Sequence, residues 1–221
     1  PASLDRCRAT MGECAHFSGH GPQPVKIAQR VQDLPPFLFA EISRKIAANR
    51  AEGRDVISLS IGDPDPPPPA HVIERLCEVA RSASGHVYPE SNGEPALRRA
   101  MAGWYRQRFG VELDPDREVL PLIGSKEGVG HLGLCLLEPG DVALLPDPAY
   151  GTNFSGTVLA GGEPYYLPLL EENDYLPDLV AVPVDVARRA RVLWLNYPNN
   201  PTAAVAPPEF FARVVEFARE H

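Results

Sequence analysis

From residue 118 onward the chain repeats one arrangement: a short apolar run, an abrupt turn rich in Gly, Pro or Asn, and then a helical pattern. The runs are EVLPLIG, VALLP, EPYYLPL and RVLWLN. They are short and continuously apolar, which suits strands covered on both faces. Strands that alternate with helices build a parallel sheet, because a parallel connection needs a crossover. The pattern therefore predicts an α/β fold of three layers, α/β/α, around a mostly parallel sheet. Helices are expected from Ser125, over about Tyr150 to Leu159, and from Pro207, with a loop and short turn after EPYYLPL. In such sheets ligands bind beyond the carboxyl ends of the strands.

Upstream, residues 1–34 read as a polar, Pro-punctuated leader, expected to be disordered. PFLFAEISRKIAANRAEG reads as an amphipathic helix ending at Gly53, DVISLSIG as a short strand, and DPDPPPP (63–69) as a stiff extended connector. Residues 70–82 and 94–109 read as helices. The second carries Leu97, Ala100, Met101, Trp104 and Tyr105 at helical spacing, Pro95 in its first turn and Gly110 past its end. The expected organisation is a leader (1–34), a helix–strand–connector segment (35–69) and an α/β body (70–221).

Composition removes several function classes. The net charge is −8 and no basic cluster occurs, which argues against nucleic acid and anionic membrane surfaces as partners. No apolar run approaches the ~18 residues of a membrane span, and the first residues lack a signal-peptide core. A soluble, cytoplasmic protein is expected. Of the four cysteines, Cys77 and Cys135 lie in apolar helical patterns and are expected to be buried. Cys7, Cys14, His16 and His20 are zinc-ligand types, but their spacing matches no common zinc module, so no metal site is expected.

Three strand ends carry candidate chemistry. The first, GSKEG (124–128), places Ser125 and Lys126 on a helix start after a glycine. The free N–H groups of such an end bind phosphate, although an ordinary N-cap has the same sequence. The second, PDPAYG, delivers Tyr150 to the rim, either to stack on a flat ligand or to pack on the next helix. The third, NYPNNPT, holds Asn200 between Pro198 and Pro201, so that its amide is fixed at little entropic cost. Together they suit a flat, phosphorylated, oxygen-bearing aromatic ligand. No Gly-x-Gly-x-x-Gly follows any strand, which disfavours a dinucleotide site.

IGDPD, YPESNGEPALRRA, LIGSKEG, DPAYG and LNYPNNPT, in this order, resemble the pyridoxal-phosphate-dependent aminotransferases of fold type I. Within them the chain is most similar to the class I/II enzymes around LL-diaminopimelate aminotransferase, from about residue 35 onward. The resemblance implies pyridoxal 5'-phosphate as cofactor and amino acid and 2-oxo acid substrates. It also implies a homodimer and a role in amino-acid biosynthesis. Ser125 and Lys126 would hold the cofactor phosphate, Tyr150 would stack on the pyridine ring, and Asn200 would donate to the phenolic oxygen. Tyr88 would reach the phosphate of the neighbouring subunit. Gly62 and Phe37 would face the substrate, and Asn200–Pro201 is a candidate cis bond. Residues 35–69 would belong to the small domain and 70–221 to an incomplete large domain, whose strand at 118–123 would be separated from the other three.

Two departures stand out. Ala203 replaces a usual Gly, and Phe37 a usual Tyr. A larger one concerns the lysine that forms the Schiff base, together with the acid and arginine that serve it. In the family all three lie beyond the position matching His221. The chain's lysines are Lys26, Lys45 and Lys126, and none is placed to substitute. The expected reading is the N-terminal part of an aminotransferase, inactive and poorly stable alone. The alternatives are a short non-catalytic protein that binds the cofactor or a partner, or one half of a split enzyme.

Overall fold

The computed structural model describes residues 26–62 and 64–221. The Cys7, Cys14, His16 and His20 cluster lies outside them, as does most of the expected leader. The chain divides after Asp33. Before that point one helical turn, α1 (Gln29–Gln32), is tied by Gln29 Nε2 donating to Asp33 Oδ1 at 2.8 Å. These four residues are therefore ordered as helix rather than as leader coil.

From Leu34 onward come α2 (Leu38–Ala51), α3 (Ala70–Arg81), α4 (Pro95–Phe109) and α5 (Ser125–Leu136). Then follow β1 (Val142–Asp147), α6 (Gly151–Ala160), β2 (Glu163–Pro168), α7 (Val184–Arg189), β3 (Ala190–Leu193) and α8 (Pro208–Glu220). The three strands form a parallel sheet in the order β2-β1-β3. β1 is central, and its alternation serves both faces. Val142 and Leu144 are buried on one side with Leu167, Ala187 and Phe217, the last two from α7 and α8. Ala143 and Leu145 are buried on the other with Leu137, Phe154 and Ala160, from the end of α5 and from α6. That is why the run VALL is unbroken: neither face meets water.

Two segments expected as strands are not. DVISLSIG and EVLPLIG are unpaired, with Ile57, Leu59, Leu120 and Ile123 exposed. A β-branched run favours extended backbone, but a strand needs a neighbour's N–H and C=O groups. No described segment offers them here. The same shortage of cover explains Cys77 and Cys135, which are exposed instead of buried, and the apolar stripe of α4. Trp104 packs edge-to-face on Tyr105 and Phe109, these two meet at a tilt, and all three remain exposed. The buried residue of α4 is Arg98. The segment expected as a loop after β2 contains α7, too short for helical periodicity to show.

The two glycine-rich helices α5 and α6 lie side by side on one face. A Cβ on Gly133 would stand 2.6 Å from the Gly156 carbonyl oxygen, and one on Gly156 would stand 3.0 Å from the Gly130 oxygen. Gly130 and Gly156 are each the sixth residue of their helix, so this backbone contact sets the two N-termini level. At the opposite edge Asp141 pins the sheet. Its carboxylate accepts from Glu138 N at 2.9 Å and Arg191 Nε at 3.3 Å, while Arg189 donates to the Gly140 carbonyl and Glu163.

Gly133→Ala is expected to cost about 1–3 kcal/mol, because the neighbour that must move is backbone; urea unfolding measures it. Asp141 is held below the usual carboxylate range, chiefly by the Glu138 N–H and then by Arg191. Its contribution is therefore present above the unfolded value of about 4 and is lost as pH falls through the lower folded one. Thermal unfolding from about pH 6 to about pH 3 is expected to lose more in the parent chain than in Asp141→Asn.

Candidate functional site

The carboxyl ends of β1 and β3 and the N-termini of α5 and α6 share one edge of the sheet. α5 opens after Gly124, whose φ of +82° suits glycine. No side chain caps this end. Glu127 folds back to accept from Ile123 N at 2.8 Å, and the N–H groups of Ser125 and Lys126 have no acceptor among the described residues. Two outward-pointing donors, a hydroxyl and an ammonium thus stand together at the positive end of a helix dipole. That donor set fits a phosphate dianion.

Lys126 Nζ stands 5.9 Å from the ring centre of Tyr150, which precedes α6, and 5.7 Å from that of Phe37. Both rings are exposed. An aromatic face beside a phosphate-binding helix end accommodates a flat phosphorylated ring. The structure therefore brings Ser125, Lys126, Tyr150 and Phe37 together. Asn200 lies on the loop that leaves β3, at the same edge. Tyr88 is fully exposed, and nothing lies within 4 Å of a Cβ built on Gly62, so neither meets the other site residues in this chain.

The two adjacent amides of NYPNNPT, Asn199 and Asn200, divide their labour, which the sequence reading did not anticipate. Asn199 is the buried one, 4% exposed. Its Oδ1 accepts from Thr202 N at 3.2 Å and Thr202 Oγ1 at 2.9 Å, and its backbone pairs with Ala203 and Ala204. Asn196 Oδ1 accepts from Asn200 N at 3.4 Å. Asn200 itself faces solvent. The signal was the doublet itself, since adjacent residues in a tight loop face opposite ways. Tyr197 anchors the loop, donating from its hydroxyl to the Tyr175 carbonyl at 2.8 Å and packing on Phe210 and Phe211. Burial pushes its phenol above the ordinary range. The Asn200–Pro201 bond is cis, as are Asp147–Pro148 and Tyr197–Pro198.

Arg98 is the other residue the sequence reading passed over. It is 3% exposed, and its guanidinium reaches the 90–93 turn on one side and the 115–116 turn on the other. Hydrogen bonding to Asp116 holds its pKa raised despite burial. Among the described residues no cluster of metal-ligating side chains occurs, and no helix is long and apolar enough to cross a membrane.

Residues 54–221 match the family described as "Aminotransferase class I and II". The chain is 56% identical over 197 residues to an LL-diaminopimelate aminotransferase of Dehalococcoides mccartyi, covering 89% of this chain and 51% of that protein. It is 58% identical over 194 residues to one of Desulforudis audaxviator, covering 88% and 50%. Among solved structures, BacF of Bacillus subtilis in its apo form superposes with a TM-score of 0.83 at 40% identity, over 90% of this chain and 51% of that one. The chain thus spans about half the length of the curated relatives it matches.

Ala203 adopts φ +61°, the left-handed region that glycine occupies freely. Ala203→Gly is expected to stabilise the chain by roughly 0.5–1 kcal/mol, as relief of strain outweighs the extra freedom of the unfolded glycine. The shift in urea midpoint at constant slope checks it.

Proposed function

Because the chain belongs to the class I and II aminotransferases, a family that depends on pyridoxal phosphate, we propose that it forms the cofactor-phosphate half of an amino-acid aminotransferase active site. The observation that carries this reading is the shared edge: unsatisfied N–H donors at Ser125 and Lys126, with the Tyr150 ring 5.9 Å from the Lys126 ammonium. When bound, the cofactor supplies an electron sink that makes the substrate's Cα proton acidic.

The chain's own residues bind and orient. Ser125 and Lys126 hold the phosphate through N–H, hydroxyl and ammonium groups. Tyr150 would cover one face of the pyridine ring and exclude water from it. The Asn200 amide would donate to the phenolic oxygen and favour its anionic form, while Asn199 keeps that loop in shape. Phe37, beside Lys126, would line the side where substrate enters; Gly62 would join it, and Tyr88 would reach the other subunit's phosphate, only in the assembled dimer. The names of the relatives support LL-diaminopimelate as amino donor, with 2-oxoglutarate as acceptor.

Proton transfer at the substrate requires a lysine in contact with the reacting carbon. Lys45 faces solvent on α2, and Lys126 stands at the phosphate end. Lys26 lies in the unit that ends at Asp33. On this reading the lysine comes from outside these 221 residues.

Transamination of LL-diaminopimelate with 2-oxoglutarate and added pyridoxal phosphate tests it, on residues 1–221 alone and on the product of the whole reading frame. Turnover by the second and none by the first is expected. Turnover by residues 1–221 alone would sink the argument about the lysine. If both bind the cofactor but neither transaminates any amino acid, a non-catalytic binding protein becomes the better account.

A further inference from the structure

Arg98 is a buried cation whose donors go mainly to backbone. Nε donates to the Pro115 carbonyl at 3.0 Å, and Nη1 to the carbonyls of Gly93 and, at 3.4 Å, Asn92. Its carboxylate partners, Glu90 at 3.6 Å and Asp116 at 2.9 Å, are both largely exposed. A guanidinium presents its donors in a planar fork, so this arrangement fixes where two turns lie relative to one another. A point-charge ammonium would neutralise the same carboxylates without fixing that geometry.

The 90–93 turn reaches the site in two directions. Tyr88 is two residues before Glu90. On the other side, a Cβ on Gly93 would stand 2.7 Å from Pro121 Cγ, and one on Gly128 would stand 2.6 Å from Leu122 Cδ1. The 90–93 turn therefore rests on the segment that enters Gly124 and α5, and that segment rests on the first turn of α5.

We propose that Arg98 is a positioning residue, which sets the register between the Tyr88-bearing turn and the phosphate-binding N-terminus of α5. The inference rests on the reading of Ser125 and Lys126 as phosphate donors. It extends that site to a side chain with no contact to ligand. The coupling is mechanical: the fork locks the turn, the turn supports Pro121, and Pro121 places the donors.

The test uses the protein in the full length its gene encodes, with pyridoxamine phosphate as probe, since its amine cannot condense with a lysine. Arg98→Lys keeps the charge and loses the fork. It is expected to raise the dissociation constant by about tenfold, the lower end of what removal of an orienting partner costs. Asp116→Asn, which leaves the carbonyl contacts, is expected to fall between parent and Arg98→Lys. Asp141→Asn, at the far edge of the sheet, is expected to lower stability without changing the dissociation constant. Hydrogen exchange in Arg98→Lys is expected to quicken together at Gly93 and at Ile123 and Glu127, whose N–H groups are hydrogen-bonded at the two ends of this coupling, while β1 stays protected. An unchanged dissociation constant in Arg98→Lys, or an equal rise in Asp141→Asn, overturns the inference. If the parent protein does not bind pyridoxamine phosphate, the cofactor reading fails. Exchange then decides Arg98 alone: quickening at Gly93 together with Ile123 and Glu127 sustains the coupling, and quickening at Gly93 only refutes it.

Discussion

The parallel ladder of β1 with β2 and β3 is the constraint on which the remaining structure depends. Parallel pairing forces each connection to cross the sheet, so every strand ends at the same edge and every crossover helix begins there. Tyr150, the start of α6 and the NYPNNPT loop are collected at that edge by topology alone, before any side chain is chosen. The close approach of Gly133 and Gly156 then sets α5 beside α6. As a result the donors of Ser125 and Lys126 reach the same edge, although EVLPLIG pairs with none of the three strands.

The two edges of the sheet are built from different chemistry. The amino edge is an exposed network of Asp141, Glu163, Arg189 and Arg191, whose charges find partners in one another. The carboxyl edge leaves its donors and rings without partners and puts its ordering into backbone instead. Three X-Pro bonds, the buried Asn199 amide and the left-handed Ala203 shape the loops there. The left-handed backbone of Ala203 persists because neighbouring contacts over-determine it. The hydrogen bonds among Asn199, Thr202 and Ala204 are those contacts.

What could be read from the chain in advance follows the range of the interactions involved. α4 is bounded by Pro95 and a left-handed Gly110, both local signals, and its limits were legible to within a residue. β1 was legible because four consecutive buried apolar residues have few other uses. EVLPLIG and DVISLSIG were misread as strands because extended preference is local but pairing is not. Cys77 and the α4 stripe failed likewise: periodicity identifies an apolar face, and only the rest of the structure decides whether something covers it. At the candidate site, Ser125, Lys126 and Tyr150 stood out from their places at turns that open helices, and the structure brings Lys126 and Tyr150 side by side. Asn199 and Arg98 were not, since each acts by holding backbone, which leaves no mark of residue type near the ligand.

Arg98 also bears on why a buried charge is retained where an apolar side chain would cost less to bury. Replacing buried ion pairs by apolar groups is often neutral or stabilising, so stability alone is a poor reason for Arg98 in α4. Its carboxylates lie mostly in water, and most of its donors go to the carbonyls of Pro115, Asn92 and Gly93. Those carbonyls belong to turns that no ladder or helix otherwise ties together. A planar cation with five donors can satisfy both turns at once, and an apolar residue can satisfy neither. Positional specificity therefore accounts for the guanidinium better than net stabilisation does. The same logic applies to Asn199, whose buried amide secures one loop so that its neighbour, Asn200, is free to meet a ligand.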